Sequence, residues 1–426
     1  MRKKLYNFLF PTSVYSLKRD VTWNTLAGLL NAIEAVALLA VVTRVCGVEE
    51  AGYLSIAFAV ANLFVAVGKY GVRYFQVTNC NTPISLESYR NMRVITIAVM
   101  LFFCFLYIVN GKINNGYSWY KMCVVVLMCI IYAVESMEDT YWGYLQRENK
   151  LASGAKVFIL RWLSILLIIN IGLFLGYNLL ESLLAAAICS WVIYLFCIDL
   201  VRKECNYKKS RWDWGQIKLL FIKCTPLALG VFFNYYICNA PKYSIDAYMS
   251  DEIQAYYGYI AMPVFLIQLL SNFIFHPMLV KISSYWNTGE YEKFKISILK
   301  QYITIVALTI ICLIGTWWVG VPILSIIYGT NLSQYSNELL ILMLGGGFLA
   351  FDGFLNIVLT VMDARKDILI GYGISAILSL LLLPYIVNQY GVLGATIEFC
   401  GILFLLSLYF NVRLWSYYFR IYKRYN

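Results

Sequence analysis

Charge is scarce in this sequence, and histidine scarcer still. Only 13% of its 426 residues are Asp, Glu, Lys or Arg, about half the share usual in a soluble domain. The single histidine, His276, leaves no second imidazole for an H-E-x-x-H metal site and no spare partner for a Ser-His-Asp relay. No G-x-x-x-x-G-K-[ST] loop, G-x-S-x-G elbow or C-x-x-C pair occurs among the 426 residues. The ATP-driven, hydrolytic and metal-ribbon mechanisms that those motifs serve are therefore unsupported. No catalytic residue, metal site or cofactor is expected. The 12 cysteines fall mostly within apolar runs, where a thiol acts as a small hydrophobe.

Apolar sequence is what the chain has in quantity. Hydrophobic residues make up 61% of it and the mean hydropathy is +0.70. Runs of about 20 apolar residues, enough to cross a hydrocarbon core roughly 30 Å thick, recur along its length. They predict an all-α integral membrane protein of about twelve spans, near 21–45, 51–71, 93–110, 119–144, 152–174, 177–199, 217–239, 255–277, 299–320, 336–361, 368–388 and 391–415. The net charge of +11 has a topological explanation. Of the 34 lysines and arginines, Arg44, Lys112, Lys121 and Lys242 belong to one side, and Arg161 and Lys223 lie inside spans. The remainder collect in the N-terminal arm, the loops after spans 2, 4, 6, 8 and 10, and the C-terminal tail. That asymmetry predicts a multi-pass membrane protein with both termini cytoplasmic. Its basic excess would meet anionic membrane lipids rather than nucleic acid. No cleavable signal peptide is expected, and LYNFLFPTSVYSLKR is expected to lie along the inner interface.

The loops are short, so function must reside between helices. Span 2 opens with AGYLSIA (Ala51 to Ala57) and span 8 with AYYGYIA (Ala255 to Ala261), both A-x-Y-x-x-I-A and about half a chain apart. A parallel duplication of six spans would place them so. The expected organisation is an interfacial arm at 1–20, an N-lobe of spans 1–6 at 21–205, a C-lobe of spans 7–12 at 206–416, and a tail at 417–426. Pro226, Pro241, Pro263, Pro277 and Pro322 lie in or beside spans 7 to 9, and Gly345-Gly346-Gly347 lies in span 10. Each can mark a static kink or a hinge.

Polar residues form stripes on otherwise apolar spans. Asn24, Asn31 and Glu34 fall within about 80° of arc on span 1. Gln268, Asn272 and His276 repeat at every fourth residue of span 8, and Asp352, Asn356 and Thr360 do the same on span 10; Glu398 sits within span 12. Such stripes either line a wetted interior or act as hydrogen-bonding glue between helices. Asn31, Gln268, Asn272 and Asn356 are candidates to contact a polar substrate. Glu34 and Asp352 are candidates for coupling to a proton or cation. Arg161 and Lys223 could hold an anionic group such as a diphosphate, with Arg44 and Lys242 as further cations. The opposing reading is that Arg161 pairs with Glu138 or Asp139 across the span 4–5 hairpin and that Lys223 snorkels to the interface.

Several segments then resemble one family. RVCGVEEAGYLSIA (Arg44 to Ala57), KYGV (Lys69 to Val72), TPLALG (Thr225 to Gly230), GVPILSIIYG (Gly320 to Gly329) and YGVLGA (Tyr390 to Ala395) are similar to stretches of polysaccharide-repeat-unit flippases for O-antigen and capsule. These belong to the multidrug, oligosaccharidyl-lipid and polysaccharide exporter (MOP) superfamily. The resemblance implies two six-helix lobes around a central cavity. It also implies translocation of an undecaprenyl-diphosphate-linked oligosaccharide for O-antigen, capsule or exopolysaccharide assembly, with a polysaccharide polymerase as a candidate partner. An Asp that often follows span 7 in the family has no match in NAPKYSID (Asn239 to Asp246). Two rivals are a small-molecule exporter of the multidrug branch and a membrane glycan polymerase or ligase. The short outer loops disfavour the enzyme.

Overall fold

In a computed structural model that describes residues 2–10, 17–78, 84–204 and 212–425, every regular element of the described chain is a helix. The chain divides into two compact units, Met1–Tyr235 and Tyr236–Asn426. The first holds α1 (Arg2–Leu9), α2 (Leu17–Val45), α3 (Val48–Lys69), α4 (Val72–Thr78), α5 (Leu86–Asn114), α6 (Trp119–Arg147), α7 (Leu151–Phe174), α8 (Leu179–Glu204) and the start of α9 (Trp214–Tyr248). The second holds the end of α9, α10 (Asp251–Ala261), α11 (Val264–Asn287), α12 (Tyr291–Gly315), α13 (Val321–Tyr328), α14 (Ser336–Val361) and α15 (Arg365–Tyr425). Among the described residues, eleven helical segments are long and apolar enough to cross a membrane. One of them, Arg365–Tyr422, contains two runs, because the chain leaves helical geometry at Gly391 (φ 58°, ψ −138°). The all-α, twelve-span expectation therefore stands.

Local sequence explains where helices start and stop. Ser85, Ser118 and Ser250 each accept a hydrogen bond from the backbone three residues on, opening α5, α6 and α10; such a cap contributes about 1 kcal/mol. Asp20 of α2 does this at a distance, accepting from the Ala152 N–H at 2.9 Å at the start of α7. Span 8 is broken where sequence reading left it whole. Pro263 has no N–H to continue the ladder, and it becomes the N-cap of α11. Pro226 and Pro241, in contrast, sit inside the uninterrupted α9. Span 9 runs on through a π-helical turn, Thr316–Gly320, into α13, which stops at Gly329 (φ 71°).

The first helix of the N-terminal arm, α1, is docked on the first unit, and residues 11–16 of the arm lie outside those described. Leu9 is fully buried and Phe10 nearly so, packed against Tyr194, Cys197, Ile198 and Val201 of α8. The carbonyls ending α1, orphaned as at any helix terminus, are taken by Lys156 Nζ (to Phe8 O, 2.5 Å) and Ser153 Oγ (to Leu9 O, 2.7 Å). The opening turns of α9 also belong to the first unit. Ile217, Leu220 and Cys224 pack on Val72, Tyr89 and Met92.

The glycine triplet of span 10 is a packing surface within a continuous α14. A Cβ on Gly345 would lie 3.0 Å from the Phe399 ring, one on Gly346 2.7 Å from the Val264 carbonyl oxygen, and one on Gly347 2.5 Å from Thr309. Small residues let helices approach closely where lipid offers no hydrophobic drive. Gly346→Ala is expected to destabilise the protein by about 1–3 kcal/mol through overpacking against backbone. Gly28→Ala, whose Cβ would meet nothing within 4 Å, is expected to be neutral or slightly stabilising. Thermal unfolding of both variants in detergent checks the contrast.

Candidate functional site: a row of buried carboxylates on α6

Within α6 the residues Tyr132, Glu135, Glu138 and Asp139 recur at helical spacing and share one face. All four are buried, at 4, 8, 5 and 7% exposure. Each carboxylate meets a cation from a different helix. Glu135 receives Lys69, the last residue of α3, at 2.6 Å. Glu138 accepts the Arg161 Nε of α7 on both oxygens, at 3.0 and 3.1 Å. Asp139 binds the Arg93 Nη2 of α5 at 2.8 Å, with Arg73 of α4 at 3.7 Å.

Arg93 and Arg161 are wholly inaccessible, and Arg93 has its donors well used. Its Nη1 donates to Gly68 O at 2.7 Å and its Nε to Thr140 Oγ1 at 3.1 Å, while Thr96 Oγ1 also donates to Gly68 O. Gly68 lies in the last turn of α3, where carbonyls lack helical partners. A side chain there would collide with Ser136 Oγ, 2.5 Å from the ideal Cβ. Arg73 is braced by Gln146 Oε1 at 2.9 and 3.1 Å, and its guanidinium lies 5.2 Å over the Trp142 ring.

The other end of the row is less complete. Glu34 of α2 is 2% exposed, and its Oε1 accepts from Tyr132 OH at 3.3 Å. Its Oε2 has no hydrogen-bond partner, nor have Glu135 Oε2 and the Arg161 Nη1 and Nη2. Arg161 Nη2 stands 3.6 Å from Glu135 Oε2. Glu34 is thus the one carboxylate of this cluster without a cation in contact. Its side chain is packed into the first unit, whereas Asn24 and Asn31 of the same stripe are exposed. The expectation that the stripe faces one wetted interior is revised for Glu34, because the larger arc toward α6 takes it inward.

The other candidates are spread over both units. Arg161 makes the hairpin ion pair with Glu138, while Asp139 turns to Arg93. Lys223 is exposed on α9, and so is Arg44 on α2; Lys242 is 5% exposed. In the second unit Asp352 is 1% exposed and accepts from Ser407 Oγ at 2.6 Å, with its Oδ2 unpartnered. Asn356 donates to Tyr372 OH at 3.3 Å. Gln268 is half-buried beside Gly353, whose ideal Cβ would lie 3.5 Å from its Nε2. Asn272 and His276 lie outside the side chains described. Glu398 is buried at 6%. Among the described residues no group of three His, Cys, Asp or Glu is placed to hold a metal ion. Sequence reading missed Lys69, Arg93, Arg73 and Glu135. The first three lie at or near predicted span ends, but Glu135, three residues before Glu138 within span 4, was a visible signal.

The fold is that of MOP transporters. The lipid II flippase MurJ in an inward closed conformation superposes with a TM-score of 0.69 at 16% identity, covering 92% of this chain and 87% of that one. An inward-facing MATE-family multidrug transporter of the MOP superfamily gives 0.66 at 11% identity, with 99% and 98% covered. A MATE transporter of Vibrio cholerae in its bent form gives 0.60 at 11% identity, with 98% of each chain covered. No curated protein matches the chain in sequence. The chain belongs to the polysaccharide biosynthesis protein family, whose model matches residues 17–283.

Removing one partner of a buried ion pair leaves the other uncompensated, at about 3–5 kcal/mol. Arg161→Met is therefore expected to destabilise the first unit strongly, and Arg161→Met with Glu138→Met to recover most of the loss. A double-mutant cycle on detergent unfolding midpoints reads this.

Proposed function

We propose that this protein is a flippase that moves a polyprenyl-diphosphate-linked oligosaccharide across the bacterial cytoplasmic membrane by alternating access, for surface polysaccharide assembly. The observation that carries the reading is membership of the polysaccharide biosynthesis family in a chain whose fold is that of transporters. The first points to glycan and the second to movement across a bilayer. The buried charges of α6 add support, since ionisable groups at membrane depth cost energy and mark pathways or coupling sites. Both termini are assigned to the cytoplasm from the distribution of Lys and Arg.

Lys223 and Asn31, exposed on the first unit, can meet the diphosphate and a sugar hydroxyl. Gln268, Asn272 and Asn356 are the corresponding candidates on the second unit. Arg161, wholly buried, holds Glu138 through Nε and keeps Nη1 and Nη2 as unpartnered donors that an anion reaching it would use. Glu34, lacking a cation in contact and with one oxygen unpartnered, is the candidate for ion coupling, with Asp352 second. Export of small molecules by the same fold is the second reading, favoured by the likeness to multidrug transporters.

Deletion of the gene in its host is expected to abolish surface polysaccharide and to accumulate lipid-linked repeat units on the inner leaflet. The wild-type gene should restore export. Glu34→Gln and Lys223→Gln should each restore about tenfold less or worse, if about 1.4 kcal/mol of transport barrier rests on each group. Normal surface glycan together with new drug sensitivity would replace the flippase reading by the multidrug one.

A further inference from the structure

A crevice of about 410 Å³ opens between the end of α7 and the start of α8, within the range of roughly 300–1,000 Å³ common to ligand cavities. It exists because small residues meet there. Gly172 packs so closely on Ser182 that a Cβ would lie 2.6 Å from Ser182 Oγ, and Ala185 leaves the adjoining space empty. Ile168, Ile171 and Leu175 form an apolar wall. Those residues span two turns, about 10 Å of helix, which suits a length of alkyl chain.

Two polar groups are set into this apolar crevice. Ser182 is 2% exposed and its Oγ has no hydrogen-bond partner, a costly condition for a buried hydroxyl. Glu181 stands at the mouth, exposed, on the first turn of α8. Its Oε2 accepts from the Asn178 N–H at 3.1 Å while its own N–H donates to Asn178 Oδ1 at 2.8 Å. That reciprocal cap holds the carboxylate in place. Among the described residues no lysine or arginine pairs with it.

We propose that this crevice is a binding site for a phospholipid with a primary-ammonium headgroup, phosphatidylethanolamine being the simplest. The ammonium donates hydrogen bonds to the Glu181 carboxylate, a charge-assisted contact. The first ester carbonyl accepts from Ser182 Oγ–H, and one acyl chain fills the space beside Gly172 and Ala185. On the proposed topology, with both termini cytoplasmic, α7 ends and α8 begins at the outer leaflet, so the ligand is an outer-leaflet lipid. A phosphatidylcholine has no N–H to offer Glu181, and an anionic lipid is repelled by it.

The full-length protein is purified in detergent, titrated with phosphatidylethanolamine, phosphatidylcholine or phosphatidylglycerol of identical chains, and read by native mass spectrometry. Wild type is expected to retain one phosphatidylethanolamine about tenfold more tightly than either other lipid, a difference of about 1.4 kcal/mol. Glu181→Gln keeps the helix cap but removes the charge, and should erase the headgroup preference. Ala185→Leu fills the crevice from an exposed position and should abolish the retained lipid for every headgroup. Equal retention of the three lipids by wild type overturns the proposal, as does undiminished retention by Ala185→Leu. Displacement by a polyprenyl phosphate at lower concentration than phosphatidylethanolamine also overturns it, assigning the crevice to a prenyl tail. All variants are compared as monodisperse samples with wild-type melting. Should Ala185→Leu fail that standard, Glu181→Gln still decides the headgroup claim.

Discussion

The first unit is organised by one constraint: the carboxylates buried along α6 each find a positive charge. Between helices in lipid there is no hydrophobic drive, because acyl chains are as apolar as leucine. Polar links and close steric contact decide which helices pack and in what register. α6 supplies a column of acid, and α3, α4, α5 and α7 each deliver a cation to it. Arg93 illustrates how far this reaches. By binding Asp139, Thr140 and the Gly68 carbonyl together, it fixes α5, α6 and the end of α3 with one side chain. A shift of any of these helices by a turn would leave several charges unpaired at once.

The second unit is held by different means, although the two A-x-Y-x-x-I-A segments occupy matching places in the opening turns of α3 and α10. Ala51 and Ala255 are both fully buried, as expected of residues on equivalent packing faces. Beyond the segment the halves diverge. α3 continues to Lys69, whereas α10 ends at Ala261 before Pro263. In place of a row of ion pairs along one helix, the second unit has the glycine face of α14 and aromatic contacts such as Tyr259 on Tyr328, stacked at 4.1 Å. Among its buried acids, Asp352 meets a serine hydroxyl, whereas Asp367 meets Arg413 at 2.7 Å.

Much of the fold could be read from residues alone. The apolar runs are long, and each is bounded by charge, so span number and rough boundaries followed; span 10, read as 336–361, is α14 residue for residue. The break at Pro263 and the continuity of α9 through two prolines were not legible. Proline removes one hydrogen bond at every such place, and whether the helix bends or breaks depends on neighbours that sequence does not name. The site was half legible. Arg161 and Glu138 could be paired from their equal distances to the hairpin turn. Lys69, Arg73 and Arg93 could not, since each comes from a helix whose rotation relative to α6 is a property of packing. Burial had a similar effect on Glu34: its spacing from Asn31 put both on one stripe, but the edge of that stripe faces α6 and its middle does not.

Glu34 is therefore the residue whose presence needs a reason beyond packing. A carboxylate at membrane depth costs about 2.5–3.5 kcal/mol on insertion scales, and every other acid of the cluster offsets that cost with a cation in contact. Glu34 has a tyrosine hydroxyl at 3.3 Å and an oxygen without a partner. Simple stability would favour glutamine or leucine at that point. Under the proposed function, an acid kept at the end of an otherwise matched row, beside an arginine whose two Nη groups are also unpartnered, is where one mobile positive charge would enter and leave. Its arrival would neutralise Glu34 and free Arg161 and Glu135 to settle on each other; its departure would set the three in competition again. Under the proposed function, two such arrangements of one small set of side chains, differing by a single charge, would couple an ion to a change of conformation.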